Sequence, residues 1–238
     1  MTHPSEEAFG EVYERLDAAY GPQHWWPGES PFEIQVGAIL TQNTAWPNVE
    51  RAIENLKREN RMAPEAILET PHHDLAELLR PAGYFNVKAR RLRNYCAWLL
   101  EQGGERALRR WPTDKLRHGL LSVKGVGPET ADDILLYAFE RPVFVIDAYT
   151  RRIFSRLGLI EANSGYEALR HRFETALGAD VARFNQYHAL IVRHAKTHCR
   201  KRPRCTACPL GDLCRKTGDL DHRKADRSDP LQSQHSAP

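Results

Sequence analysis

The chain has 238 residues, 34 of them Lys or Arg against 31 Asp or Glu, which is enough for one large domain or two small lobes that each bury a core. It contains no continuous apolar run long enough to span a bilayer, and its opening stretch MTHPSEEAFGEVYERL is acidic and polar where a secretory leader would be basic and then apolar. The net charge of +3 is unevenly spread: eight basic residues and one acid, Asp212, lie between Arg193 and Lys216. That stretch reads either as a phosphate-binding face or as a solvated, charged helix end.

Helical periodicity dominates from the N-terminus onward. PFEIQVGAIL begins on Pro31 and spaces Phe32, Val36, Ile39 and Leu40 along one face, and PNVERAIENLKREN follows with Pro47 suited to a first turn. HHDLAELL, NVKARRLRNYCAWLLEQ, TDKLRHGLL, PETADDILLYAF, DAYTRRIFSRLG, GYEALRHRFETAL and ADVARFNQYHALIVRHAKTHC complete the set, each ended by Gly, Pro or Asn. Val143, Phe144, Val145 and Ile146 form an isolated β-like run, read as a buried connector. Some ten helices with short loops predict an all-α fold. From Asp219 the sequence is polar and poor in apolar residues, and a disordered tail is expected over 219–238.

Three patterns carry chemistry. SVKGVGPETA places Gly125 and Gly127 between two helices, with Pro128 opening the second. Such a bend is either a tight helix–helix turn or a cradle in which glycine backbone and a helix N-terminus meet phosphate without reading base identity. Next, Asp147 follows the apolar run and opens a helix. It fits an N-cap, and it also fits a carboxylate at a cleft mouth that steadies positive charge on a sugar and orients water; the two roles are compatible. Finally, four of the five cysteines stand as Cys199-x5-Cys205-x2-Cys208-x5-Cys214, the spacing of a metal site in a reducing compartment. Four thiolates suit tetrahedral zinc or a 4Fe–4S cluster, and the single CxxC pair favours iron–sulfur. Lys201, Arg202 and Arg204 between the first two ligands would form a basic loop, and Cys96 reads as core packing.

Glycine hairpin, aspartate and four-cysteine loop, in this order, resemble the endonuclease III-like helix-hairpin-helix DNA glycosylases, from about Phe32 to Cys214. The resemblance implies a monomer that binds double-stranded DNA carrying a damaged base, holds a 4Fe–4S cluster and works in the cytoplasm at the nucleoid. It implies two helical lobes flanking a DNA groove: residues 1–28 as an N-terminal helix of the iron–sulfur lobe, 29–142 as a six-helix barrel with the hairpin, and 143–218 as the lobe with the cluster loop. The family's catalytic aspartate matches Asp147 and its hairpin glycines match Gly125 and Gly127.

One position departs from the bifunctional members, which carry a lysine two residues after the second hairpin glycine; here that residue is Glu129. A carboxylate cannot form the Schiff base that cuts the strand, so water is the expected nucleophile and an abasic site the expected product. LTQNTAWPNV and RPAGYFNVKARRL resemble the 3-methyladenine DNA glycosylases of the endonuclease III type. By that match Gln42 fills the gap left by the flipped base and Tyr84 wedges beside its partner, in a loop with Asn86 and Lys88. Trp25, Trp26, Pro27 and Trp46 line the base pocket; without the resemblance, Trp25 and Trp26 read as a hydrophobic plug between the lobes. An N-methylated purine is cationic, and stacking it on indole stabilises it by about 0.5–2 kcal/mol. Two other readings stay open: a bifunctional glycosylase and lyase acting on oxidised pyrimidines, and a non-catalytic iron–sulfur protein that binds damaged DNA.

Overall fold

The computed structural model describes residues 6–214; the segment read as a tail lies outside them. Twelve α-helices occur among the described residues, and no strand does: α1 (Glu6–Tyr20), α2 (Pro31–Leu40), α3 (Trp46–Arg58), α4 (Pro64–Glu69), α5 (His72–Leu78), α6 (Phe85–Glu101), α7 (Gly104–Leu108), α8 (Thr113–Ser122), α9 (Pro128–Asp133), α10 (Ala148–Leu157), α11 (Tyr166–Leu177) and α12 (Val181–Thr197). The all-α expectation holds. No helix among these residues is long and apolar enough to cross a membrane. The short α4 and α7 were not anticipated, because one or two turns leave no periodic stripe to read.

The helices start where local chemistry tells them to. Ser30 Oγ accepts the Glu33 amide at 3.2 Å ahead of Pro31, and Asp180 Oδ1 accepts the Arg183 amide at 3.1 Å at the head of α12. Each such cap satisfies one of the orphan donors of a first turn and contributes about 1 kcal/mol.

Two hydrophobic clusters organise the helices. The first gathers aliphatic side chains of α2 through α9, among them Val36, Ile39, Leu56, Leu92 and Leu120. The second is aromatic and joins α1 to α10, α11 and α12. Within it Phe144 stacks on Phe173 at 4.4 Å, and Phe9 meets Phe173 edge-on at 4.9 Å. Burying each such ring contributes about 1.5–3 kcal/mol relative to exposure.

Two segments stitch the clusters together. PETADDILLYAF does not run as one uniform helix: after α9 it widens into a π-turn at Ile134–Ala138, closed by the Phe139 amide on the Ile134 carbonyl at 3.2 Å. Ile134 and Leu135 enter the first cluster, Leu136 and Tyr137 the second. The connector does the same: Val143 belongs to the first cluster, Phe144, Val145 and Ile146 to the second. It is extended and buried, its Phe144 and Ile146 amides donate to Glu174 Oε1 and the Tyr166 hydroxyl, and it ends on Asp147.

Candidate active site

Asp147 caps α10 as expected and is almost entirely buried. Its Oδ1 accepts the Thr150 amide at 2.6 Å and the Thr150 hydroxyl at 2.8 Å. Its Oδ2 faces His188 Nε2 of α12 at 3.6 Å, an ion-pair distance longer than a hydrogen bond. Burial pushes this carboxyl up, but His188 and the Thr150 donors outweigh burial and hold it below the ordinary aspartate range. The group is therefore kept ionised in a dry setting, with one oxygen fixed and the other less constrained.

The neighbouring acids are tuned the other way. Glu129, in the first turn of α9, keeps exposed surface yet is closely surrounded by protein atoms. Burial, then the charge of Asp147, pushes it up to about 6, against His188 and Arg151. Asp133 is buried with Oδ1 unpartnered, and burial followed by Glu129, Asp147 and Asp132 raises it well above the usual carboxyl range. Carboxyls whose environments drive them apart mark a site rather than a surface.

The hairpin stands beside this group. Gly125 has φ +106, and a Cβ there would meet Arg91 Cγ at 2.3 Å, so both the conformation and the space demand glycine. Gly127 is extended (φ −95, ψ 178) and heads α9 without a side-chain cap. Its backbone leaves the helix N-terminus open toward an anion.

Gln42 is held in place by its neighbours. Its amide donates to the Gly125 carbonyl at 3.1 Å and to Thr130 Oγ1 at 2.9 Å, while its oxygen accepts from Arg91. Tyr84 has φ +46, heads α6 and is 70% exposed, with Asn86 exposed nearby.

Lys88 corrects the sequence reading. It is buried, its ammonium donates to the Ala82 carbonyl at 2.7 Å, and burial followed by Arg91 pulls it down to about 8. It cannot reach a phosphate; it holds the turn that presents Tyr84.

The aromatic residues form one cluster at the seam of the two cores. Trp26 packs against both cores. Its ring lies 5.2 Å from Trp46, 5.6 Å from Trp25 and 5.2 Å from Tyr137. The Trp25 indole N–H is buried without an acceptor. Pro27 is exposed at the edge. Gly37 of α2 makes the cluster possible, since a Cβ there would come within 3.2 Å of Trp26 Nε1.

The four cysteines line a loop packed on the second core, and no three His, Cys, Asp or Glu side chains converge as a metal-coordinating group among the described residues. The donor set nevertheless suits a thiolate-held group. Burial raises the Cys208 thiol, against the Leu210 amide that lowers it, and Cys199, Cys205 and Cys214 add to the rise. Arg156 Nη1 lies 3.2 Å from Cys199 Sγ, the charge-assisted partner that a thiolate favours. Arg152 and Arg156 of α10 also donate to the Cys199, Arg200 and Lys201 carbonyls. The helix that Asp147 caps thus anchors the loop. Lys201, Arg202 and Arg204 are exposed on it.

Sequence reading missed Thr150, Tyr137, His188, Arg152, Arg156 and Gly37. Thr150 alone had a local signal, three residues after the capping aspartate. The others act across the fold.

The family model of the HhH-GPD superfamily base excision DNA repair proteins matches residues 36–178. A provisionally named DNA repair glycosylase of Methanocaldococcus jannaschii is 48% identical over 211 residues, covering 87% of this chain and 96% of that one. Endonuclease III of Sulfolobus acidocaldarius is 28% identical over 185 residues, covering 77% and 81%. Among solved structures, a non-covalent endonuclease III–DNA complex superposes with TM-score 0.80 at 22% identity, covering 92% and 99%. The H. pylori 3-methyladenine DNA glycosylase bound to 1,N6-ethenoadenine gives TM-score 0.69 at 30% identity, covering 80% and 96%. Fold and site define a base excision repair enzyme that works on DNA. The chain belongs to the HhH-GPD superfamily and is a DNA glycosylase of the endonuclease III-like kind.

Proposed function

We propose that this glycosylase is monofunctional, acts as a monomer, and removes alkylated purines, with Asp147 as its catalytic carboxylate. The observation that carries the reading is the acid at position 129: where a lyase needs an amine, Glu129 stands within the field of Asp147. Extruding the base costs a few kcal/mol and is cheapest for a weakly paired, damaged one. Trp25, Trp26 and Trp46 offer π faces to a cationic purine. Lys196, 6.0 Å from the Trp25 ring centroid, already shows a cation over one of them.

The alkylated base leaves with the electron pair of its glycosidic bond and becomes neutral. Asp147 steadies the positive charge that develops on the sugar. Water then forms the new C–O bond at the sugar carbon and gives up its proton to solvent, and the product is an abasic site. Excision of neutral bases asks more of such a site, because the departing base then needs a proton.

Cys199, Cys205, Cys208 and Cys214 would hold a 4Fe–4S cluster. When bound, it supplies a structural cross-link that folds the loop. Lys201 and Arg204 on that loop would then meet phosphate. Changing either to Ala is expected to weaken binding to every duplex alike and to lower the slope of log affinity against log salt by about one. Unchanged slopes would remove the loop from the DNA interface.

The substrate reading is tested by base release from a panel of duplexes carrying methylated purines, etheno adducts or oxidised pyrimidines. Methylated purines should be released fastest. Release of oxidised pyrimidines alone would replace this reading with the bifunctional one, and release of nothing from any duplex would favour a non-catalytic damage-binding protein.

A further inference from the structure

Beyond the carboxylate itself, a buried pair of side chains links the aromatic cluster to Asp147. Tyr137 sits in the π-turn, and such turns recur at functional sites. One face of its environment is Trp26, at 5.2 Å between centroids. Its hydroxyl lies 2.6 Å from His188 Nδ1, with both residues buried. The other ring nitrogen, Nε2, has no hydrogen-bond partner and faces Asp147 Oδ2 at 3.6 Å.

The protonation pattern follows from the neighbours. A carboxylate only accepts, so a lone pair on Nε2 would repel Oδ2; Nε2 must carry a hydrogen. Burial, followed by the charges of Asp133 and Asp147, keeps the Tyr137 phenol protonated, and its hydroxyl can therefore donate to Nδ1. Thr150 already fixes Oδ1 with two donors. Oδ2 is the oxygen left to act, and His188 is the donor that faces it.

We infer that His188, oriented by the Tyr137 hydroxyl, is a positioning residue that aims Oδ2 of Asp147, and that this pair makes the aim of the carboxylate depend on the wall of the base pocket. The inference rests on Asp147 being the catalytic carboxylate. The present Nε2–Oδ2 gap is about 0.6 Å beyond a good hydrogen bond, and catalytic contacts commonly tighten only when substrate is bound. A base stacked on Trp26 would press on the same cluster that holds Tyr137, a route by which pocket occupancy could close that gap.

The test is single-turnover base release from a methylated-purine duplex, with duplex affinity and thermal stability measured on the same preparations. His188→Ala should slow release about 10- to 100-fold, the scale of a misplaced reacting group, with affinity changed less than about twofold. His188→Gln keeps a side-chain donor and should recover most of the rate. Tyr137→Phe keeps the ring and should slow release several-fold. The double variant Tyr137→Phe/His188→Ala should be no slower than His188→Ala alone, because both act through one contact.

Wild-type rates in His188→Ala, or fully additive losses in the double variant, would overturn the inference. If His188→Ala does not fold, His188→Gln and Tyr137→Phe carry the test: a Tyr137→Phe rate equal to wild type would overturn it. Asp147→Asn is run alongside. Full activity there removes the underlying reading, whereas an inactive Asp147→Asn beside unaffected His188 variants removes only the positioning role.

Discussion

Asp147→Asn is expected to slow base release by about 10²–10⁴-fold while leaving duplex binding and folding close to wild type. The amide is nearly isosteric. Its oxygen can still accept the Thr150 amide and hydroxyl that now reach Oδ1 at 2.6 and 2.8 Å, so the cap on α10 survives. What disappears is the negative charge that this site is built to preserve. Burial opposes that charge, and His188 and Thr150 overcome the opposition. A positive sugar would then develop in a dry pocket without its counter-charge, where the loss is far larger than in water. Single-turnover release measured together with duplex affinity checks the prediction. A rate within about threefold of wild type would show that Asp147 only caps a helix.

The largest stability effect should come from Arg117→Ala. Arg117 Nε meets Asp132 Oδ1 at 2.7 Å, and the Asp132 side chain has no exposed surface. Arg117 also reaches Glu167 at 2.7 Å, and the Tyr166 hydroxyl donates to Asp132 at 2.9 Å. Removing the guanidinium leaves a buried carboxylate with one neutral donor, a change that typically costs about 3–5 kcal/mol. For a chain of this size that corresponds to a Tm drop on the order of 10 °C.

The pH dependence has a definite sign. Asp132 is raised above its ordinary value by burial even with Arg117 present, and without Arg117 it should rise further. A raised acid favours its neutral form in the fold, so the variant should lose least stability at low pH and progressively more as pH climbs through the elevated value. Arg117→Ala/Asp132→Ala should recover part of the loss. A Tm shift below about 2 °C in the single variant would contradict this account of the pair.

The all-helical fold was legible because amphipathic stripes and their caps are local. Pro31 after Ser30, Gly158 after α10 and the apolar run before Asp147 each report their own surroundings. Asp147, the hairpin and the cysteine loop were legible for the same reason: each concentrates its signal within a few residues. Lys88 shows the limit. It reads as part of the DNA-contacting loop beside Tyr84, but here the turn folds the Ala82 carbonyl over the Lys88 ammonium and buries both.

Gln42 shows it again, since its partners Gly125, Thr130 and Arg91 come from distant parts of the chain. His188 and Tyr137 gave no signal at all, because a histidine in an amphipathic helix and a tyrosine in an apolar run look like core. Only the packing of α12 against the π-turn brings them to Asp147. The π-turn itself was hidden, because ILLYAF is apolar on every side and leaves no stripe whose phase could reveal an extra residue.

The absence of a reactive amine is tested most directly by borohydride trapping on a duplex containing the preferred lesion, with strand cleavage scored in the same reaction. The wild-type enzyme should release base, leave the strand intact and form no covalent adduct, whereas Glu129→Lys, which places an amine beside Asp147, should yield a trapped complex. A covalent adduct and strand cleavage with the wild-type enzyme would contradict a water nucleophile and reveal another amine in the site.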